Sequence, residues 1–110
     1  MAKSIKLLVY PVKDIGKAKT FYSKFLGVEP YVDSPYYVGY RIGDLEVGLD
    51  PNSKFGPISY TDVVDIKASL KEMTSVGAEI VQDIKDVANG LLIAQVKDTN
   101  GNVVGLRQQT

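Results

Sequence analysis

Two stretches decide the fold: LEVGLD, Leu45 to Asp50, and VVGLRQ, Val103 to Gln108. Each places Val-Gly-Leu inside an apolar, β-prone run, with a glycine at the centre of a strand. A glycine there weakens a strand unless something approaches it closely. Its recurrence about one half-chain later suggests equivalent positions in two similar modules.

The signals upstream agree. IKLLVYPV (Ile5 to Val12) reads as a first strand, and Asp14 is a plausible N-cap. Ile15, Ala18, Phe21, Tyr22, Phe25 and Leu26 follow helical spacing until Gly27. EPYVDSP gives a short strand broken by prolines. YYVGYRI (Tyr36 to Ile42) and LEVGLD are then joined by the two-residue turn Gly43-Asp44. After a polar linker, Pro51 to Pro57, the order restarts. ISYTDVV (Ile58 to Val64) is a strand, Asp65 caps a helix carrying Ile66, Leu70, Met73 and Val76, and Gly77 ends it. AEIVQDI, LLIAQVK (Leu91 to Lys97) and NVVGLRQ complete three more strands, the last two joined by the polar turn Asp98 to Gly101. Both halves carry Asp-Ile at the helix start, Lys-Ala soon after, Gly-x-Glu at the helix end and VGL in the last strand. The reading is one α+β domain over residues 1–110, a βαβββ unit written twice, with modules of about 1–52 and 57–110.

Composition narrows the chemistry. Thirteen cations balance thirteen acids, and no basic run exists, so nothing electrostatic favours nucleic acid or an anionic membrane. Without cysteine there is no disulfide, thiol catalysis or Cys-metal site. No apolar run is long enough for a membrane span or a secretory signal, so the cytosol is the expected location. The chain also lacks histidine, which removes a Ser-His-Asp triad and any His-based zinc or iron site.

VKDIGKAKTFYSKFLGVEP (Val12 to Pro30) resembles the first strand-helix signature of the vicinal oxygen chelate superfamily, which holds glyoxalases, extradiol dioxygenases and bleomycin-resistance proteins. KDTNGNVVGLRQ (Lys97 to Gln108) resembles its closing turn and strand. The resemblance implies two modules forming a cup-shaped mixed sheet with helices on the outer face, and usually a homodimer. It also implies four inward metal-ligand positions, which fall here on Leu7, Gly48, Ile58 and Gly105. None carries a side chain able to bind metal, so no metal and no cofactor is expected.

Strand alternation extends that register. With Leu7 inward, Val9 follows. With Gly48 inward, Glu46 and Asp50 follow, and the Gly43-Asp44 hairpin sets Arg41 opposite Glu46, with Tyr37 beyond. With Ile58 inward, Tyr60 and Asp62 follow. With Gly105 inward, Arg107 follows, and the family register adds Ile93 and Gln95. The other face, including Tyr40, Val47, Leu49, Ala94, Val96 and Leu106, should meet the helices. An apolar floor with a few polar groups suits a small molecule; the two glycines either leave room at its centre or permit close packing in the sheet. Arg41 and Glu46, and Asp62 and Arg107, read more readily as ion pairs than as ligand contacts. Three functions stay open. One is a metal-free protein binding a small hydrophobic or aromatic compound. Another is a metal-independent lyase or isomerase with Glu46, Asp50 or Asp62 as base and Tyr60 or Arg107 as oxyanion stabiliser. The third is a structural or regulatory dimer without ligand. A second copy of the chain is expected partly to cover sheet edges.

Overall fold

A computed structural model describes residues 3–109. It has two helices and eight strands: β1 (Ile5–Pro11), α1 (Ile15–Leu26), β2 (Val32–Asp33), β3 (Val38–Ile42), β4 (Leu45–Asp50), β5 (Ile58–Asp62), α2 (Ile66–Ser75), β6 (Glu79–Ala88), β7 (Leu91–Lys97) and β8 (Val103–Gln108). This is an α+β fold of two βαβββ modules. The chain divides into two compact units, one of Lys6–Ile58 and the other of the remainder.

The modules repeat each other in topology. In the first, β1 pairs parallel with β4, β4 antiparallel with β3, and β3 antiparallel with β2. In the second, β5 pairs parallel with β8, β8 antiparallel with β7, and β7 antiparallel with β6. The two VGL strands, β4 and β8, are therefore equivalent: each lies beside the first strand of its module.

Local chemistry places the helices as the sequence suggested. Asp14 accepts the Lys17 N–H at 3.0 Å, and Asp65 accepts the Ala68 N–H at 3.1 Å, so each aspartate satisfies an orphan donor of a first turn. Gly27 ends α1 in the left-handed region at φ 73°, where glycine has no Cβ to clash.

The alternation of β3, β4, β7 and β8 sorts side chains onto two faces. Val38, Tyr40, Val47 and Leu49 form one buried cluster, against which Ile15, Ala18, Tyr22 and Leu26 of α1 pack. Ala94, Val96 and Leu106 form another with Val63, Ile66 and Leu70. Tyr40 is fully buried, yet its hydroxyl donates to the Lys19 carbonyl at 3.1 Å and meets Ser23 Oγ at 2.9 Å. That pair of bonds fixes α1 over the sheet. On the same face of β8 as Leu106, Val104 is 37% exposed.

Several boundaries shift by one residue, and three differ from the sequence reading by two or more. β3 starts at Val38, because the N–H groups of Tyr36 and Tyr37 donate to Ser34 Oγ in a local turn. β5 ends at Asp62, and the following Val63 N–H donates to the Arg107 carbonyl. β6 runs on to Ala88, through a stretch too polar to show a strand period. It closes on β7 through Asn89-Gly90, both at positive φ, the geometry of a two-residue hairpin turn. The outer strands are blunted within each module. β2 has two residues, and β6 shifts register three times and exposes Asp83, Lys85 and Asp86. Bulges and charges of this kind discourage edge pairing.

Candidate functional site

In each module the predicted residues fall on strands, except Tyr37, which lies in the turn just before β3. In the first, Leu7 lies opposite Glu46, Val9 opposite Gly48, and Arg41 opposite Glu46 on its other side. In the second, Tyr60 lies opposite Gly105, Asp62 opposite Arg107, Ile93 opposite Arg107 and Gln95 opposite Gly105. Val9, Ile58 and Tyr60 are buried, while Leu7, Ile93 and Gln95 are half-buried.

The space left by the two glycines is already taken. The hydroxyl of Tyr37 lies over Gly48, so a Cβ there would overlap the phenol, with ring atom Cε1 at 2.9 Å. The ring of Tyr60 lies over Gly105, where a Cβ would stand 2.8 Å from Cγ and still closer to Cδ1 and Cε1. Of the two readings of these glycines, room at the centre is corrected and close packing holds: in each module a tyrosine side chain lies against the glycine. Gln95 Nε2 donates to the Tyr60 hydroxyl at 2.8 Å and holds that ring in place.

The charged groups are paired. Arg107 is 6% exposed and clamps Asp62 with two bonds, Nε to Oδ1 at 2.6 Å and Nη2 to Oδ2 at 3.2 Å. The carboxylate, at 38% side-chain exposure, is the accessible end of this pair. The buried guanidinium fixes its position, as a bidentate arginine does. Glu46 accepts a hydrogen bond from the Tyr31 hydroxyl and sits 3.8 Å from Arg41. The Arg41 guanidinium in turn stacks 4.4 Å from the Tyr31 ring centroid. Burial first, and then the bond to Glu46, raises the Tyr31 phenol above its ordinary value. Asp50 serves a local purpose: it accepts the Asn52 N–H at 2.8 Å and turns the chain out of β4.

Tyr31 is the residue that sequence reasoning missed. It precedes β2, and its N–H donates to the Gly39 carbonyl at 2.9 Å, which carries the ring onto the face with Glu46. The stretch between Pro30 and Pro35 gave no periodicity from which to place it.

The donor set does not fit a metal. Leu7 and Ile58 present aliphatic groups, Gly48 and Gly105 present none, and tyrosine covers both glycines. Among the described residues, no group of three or more Asp and Glu side chains converges. The opposite happens: Glu46, Asp62 and Asp50 are each engaged separately.

The family model for the glyoxalase/bleomycin resistance protein/dioxygenase superfamily matches residues 4–106. The chain belongs to this superfamily. No curated protein matches it. Its fold is shared by a hypothetical protein of Bacillus halodurans C-125, 16% identical with TM-score 0.79, covering 100% of this chain and 96% of that one. A glyoxalase/bleomycin resistance protein/dioxygenase superfamily member of Vibrio splendidus 12B01 is 16% identical with TM-score 0.73, covering 99% and 100%. The methylmalonyl-CoA epimerase of Streptomyces coelicolor, solved with 2-nitronate-propionyl-CoA, is 12% identical with TM-score 0.73, covering 100% and 99%. Identities this low establish a common fold and leave the activity of this superfamily member to its own residues. No helix among the described residues is long and apolar enough to cross a membrane.

Proposed function

We propose that this superfamily member binds a small, hydrophobic or aromatic compound without metal, on the sheet face turned away from the helix. The observation that carries this reading is the second-module face: buried Ile58 and Tyr60, half-buried Ile93, and one exposed carboxylate, Asp62, held by buried Arg107. Apolar lining with a few fixed polar groups is the pattern of a small-molecule site. The accessible polar end is an acceptor, so the compound complements it with a hydroxyl or amino donor. Val9, Gly48, Tyr37 and Glu46 offer a matching face in the first module, together with Leu7, Arg41 and Asp50.

A metal-independent lyase or isomerase has less support. Each candidate carboxylate already has a role within the protein: Asp62 is ion-paired with Arg107 and keeps lone pairs only for a further accepted bond, Glu46 accepts from Tyr31, and Asp50 caps a turn. A general base must reach the proton that it removes. We further propose that the working form is a homodimer. The exposed Phe21 and Phe25 of α1, with rings stacked at 5.9 Å, offer apolar surface for such a contact.

The test is a thermal-shift titration with small aromatic amines, phenols and carboxylates, run with and without divalent metals and EDTA. A compound that binds only the folded state raises Tm by mass action. The reading expects a shift with amines or phenols that is weakened in Asp62→Asn and unchanged by EDTA. A shift with a divalent metal alone would overturn it.

A further inference from the structure

The chain contains two Asn-Gly pairs, and both close hairpins of the second module: Asn89-Gly90 between β6 and β7, and Asn100-Gly101 between β7 and β8. Asparagine before glycine is chemically labile. The backbone nitrogen of the glycine can attack Cγ of the asparagine, because no Cβ obstructs its approach. That nitrogen gives up its proton to solvent base, the new N–C bond closes a five-membered succinimide, and the side-chain amide leaves as ammonia. Water then opens either carbonyl of the ring, giving aspartate or isoaspartate. No electron transfer is involved, and water is the sole co-reactant.

The two sites have the same sequence and different surroundings. At Gly90 the attacking nitrogen is held by a carboxylate. Its N–H points between both oxygens of Asp86, at 3.1 and 3.2 Å. A negative charge against the N–H opposes loss of its proton, since the anion formed would face a like charge. Asp86 also accepts the Ala88 N–H at 3.1 Å, which fixes the turn around it.

At Gly101 the principal acceptor is neutral. Its N–H donates to the Asp98 carbonyl at 3.2 Å, the long end of ordinary hydrogen bonds. The Asp98 carboxylate holds mainly other groups: the Asn102 and Asn100 N–H donors at 2.9 and 2.8 Å, with the Asn102 side chain at 3.3 Å. Gly101 is the least of the groups that keep this carboxylate below its ordinary range. Both Asn100 and Gly101 are exposed, so water and base reach the bond.

We propose that Asn100 is a site of spontaneous succinimide formation and deamidation, and that Asp86 protects Asn89 from the same reaction. The product adds a negative charge two residues from ionised Asp98. Isoaspartate also adds a methylene to the backbone just before β8. That strand carries Gly105 and Arg107, so the modification acts on the face described above.

The test ages the purified chain in mildly alkaline buffer and maps peptides by mass spectrometry, reading the gain in mass when amide becomes acid. The expected result is conversion at Asn100 while Asn89 remains an amide, and similar rates at both sites in urea. Asn100→Gln should remove the acidic species that accumulates on ion exchange. Asp86→Ala should accelerate Asn89 several-fold and leave Asn100 at its wild-type rate. That second rate reports whether the variant is folded, because an unfolded chain would speed both. Conversion at Asn89 first, equal rates in the folded protein, or a stable Asn100 under conditions that convert it in urea would each overturn the proposal.

Discussion

Gly105→Ala adds one methyl group and tests whether the tyrosine-glycine pair is a steric unit. Gly105 is not among the glycines at positive φ, so alanine meets no backbone strain. What it meets is the Tyr60 ring, with Cγ at 2.8 Å and two ring atoms nearer. Tyr60 has little freedom to retreat: it is 5% exposed, and Gln95 holds its hydroxyl at 2.8 Å. Overpacking of this kind costs about 1–3 kcal/mol, and displacing the hydroxyl from Gln95 adds ~1 kcal/mol. Restricting the unfolded chain returns about 0.4–1 kcal/mol. A net loss of about 2 kcal/mol remains, equivalent to a Tm fall of roughly 8–16 °C in a chain near 100 residues. Urea denaturation of a double-mutant cycle with Tyr60→Val isolates the cause. In the Tyr60→Val background the ring is gone, so Gly105→Ala should cost nearly nothing, giving a coupling of about 2 kcal/mol. Equal costs in both backgrounds would refute the steric account.

Gly16→Ala is the control, because Gly16 is exposed in α1 and its added Cβ would lie 3.6 Å from the nearest atom, Asp14 Oδ1. It should stabilise the chain by about 0.5–1 kcal/mol in the same assay. Asp62→Ala strips the buried Arg107 of its carboxylate and should cost about 3 kcal/mol by urea midpoint, with Arg107→Met costing less, since it leaves Asp62 facing water. Asp98 is held below its ordinary value of 3.8, first by the Asn102 backbone N–H and then by that of Asn100. Its depressed folded value means that its contribution is present above the unfolded pKa and is lost as pH falls through the folded one. Asp98→Asn should therefore flatten stability against pH on the acid side, as read by melting curves. Tyr31 has the opposite sign. Its raised folded value makes its contribution complete below the unfolded pKa near 10 and lost as pH rises through the folded one, so Tyr31→Phe should remove part of the alkaline fall.

The sequence by itself determined the modules. Aspartate caps, glycine stops and strand alternation act within a few residues, and the structure keeps both caps and the pairing of Arg41 with Glu46. The family resemblance set which strand faces turn away from the helices, and the buried clusters follow that division. Period two also predicted that Asp62 and Arg107 share a face, because neighbouring strands with one register bring such residues side by side.

Tertiary structure decided what the glycines are for. A sequence shows a missing side chain at 48 and 105, and it shows no contents for the gap. Tyr37 fills one from the turn that precedes β3, and Tyr60 fills the other from the strand that pairs with Gly105, by side-chain placement that no local pattern encodes. The same holds for Tyr31, brought to Glu46 by a backbone bond to Gly39. It holds also for the two Asn-Gly turns, identical as text and distinguished by whether a carboxylate or chiefly a carbonyl receives the glycine N–H. Local propensity fixes where strands and helices begin, whereas the contacts that give a residue its chemistry form between segments distant in the chain.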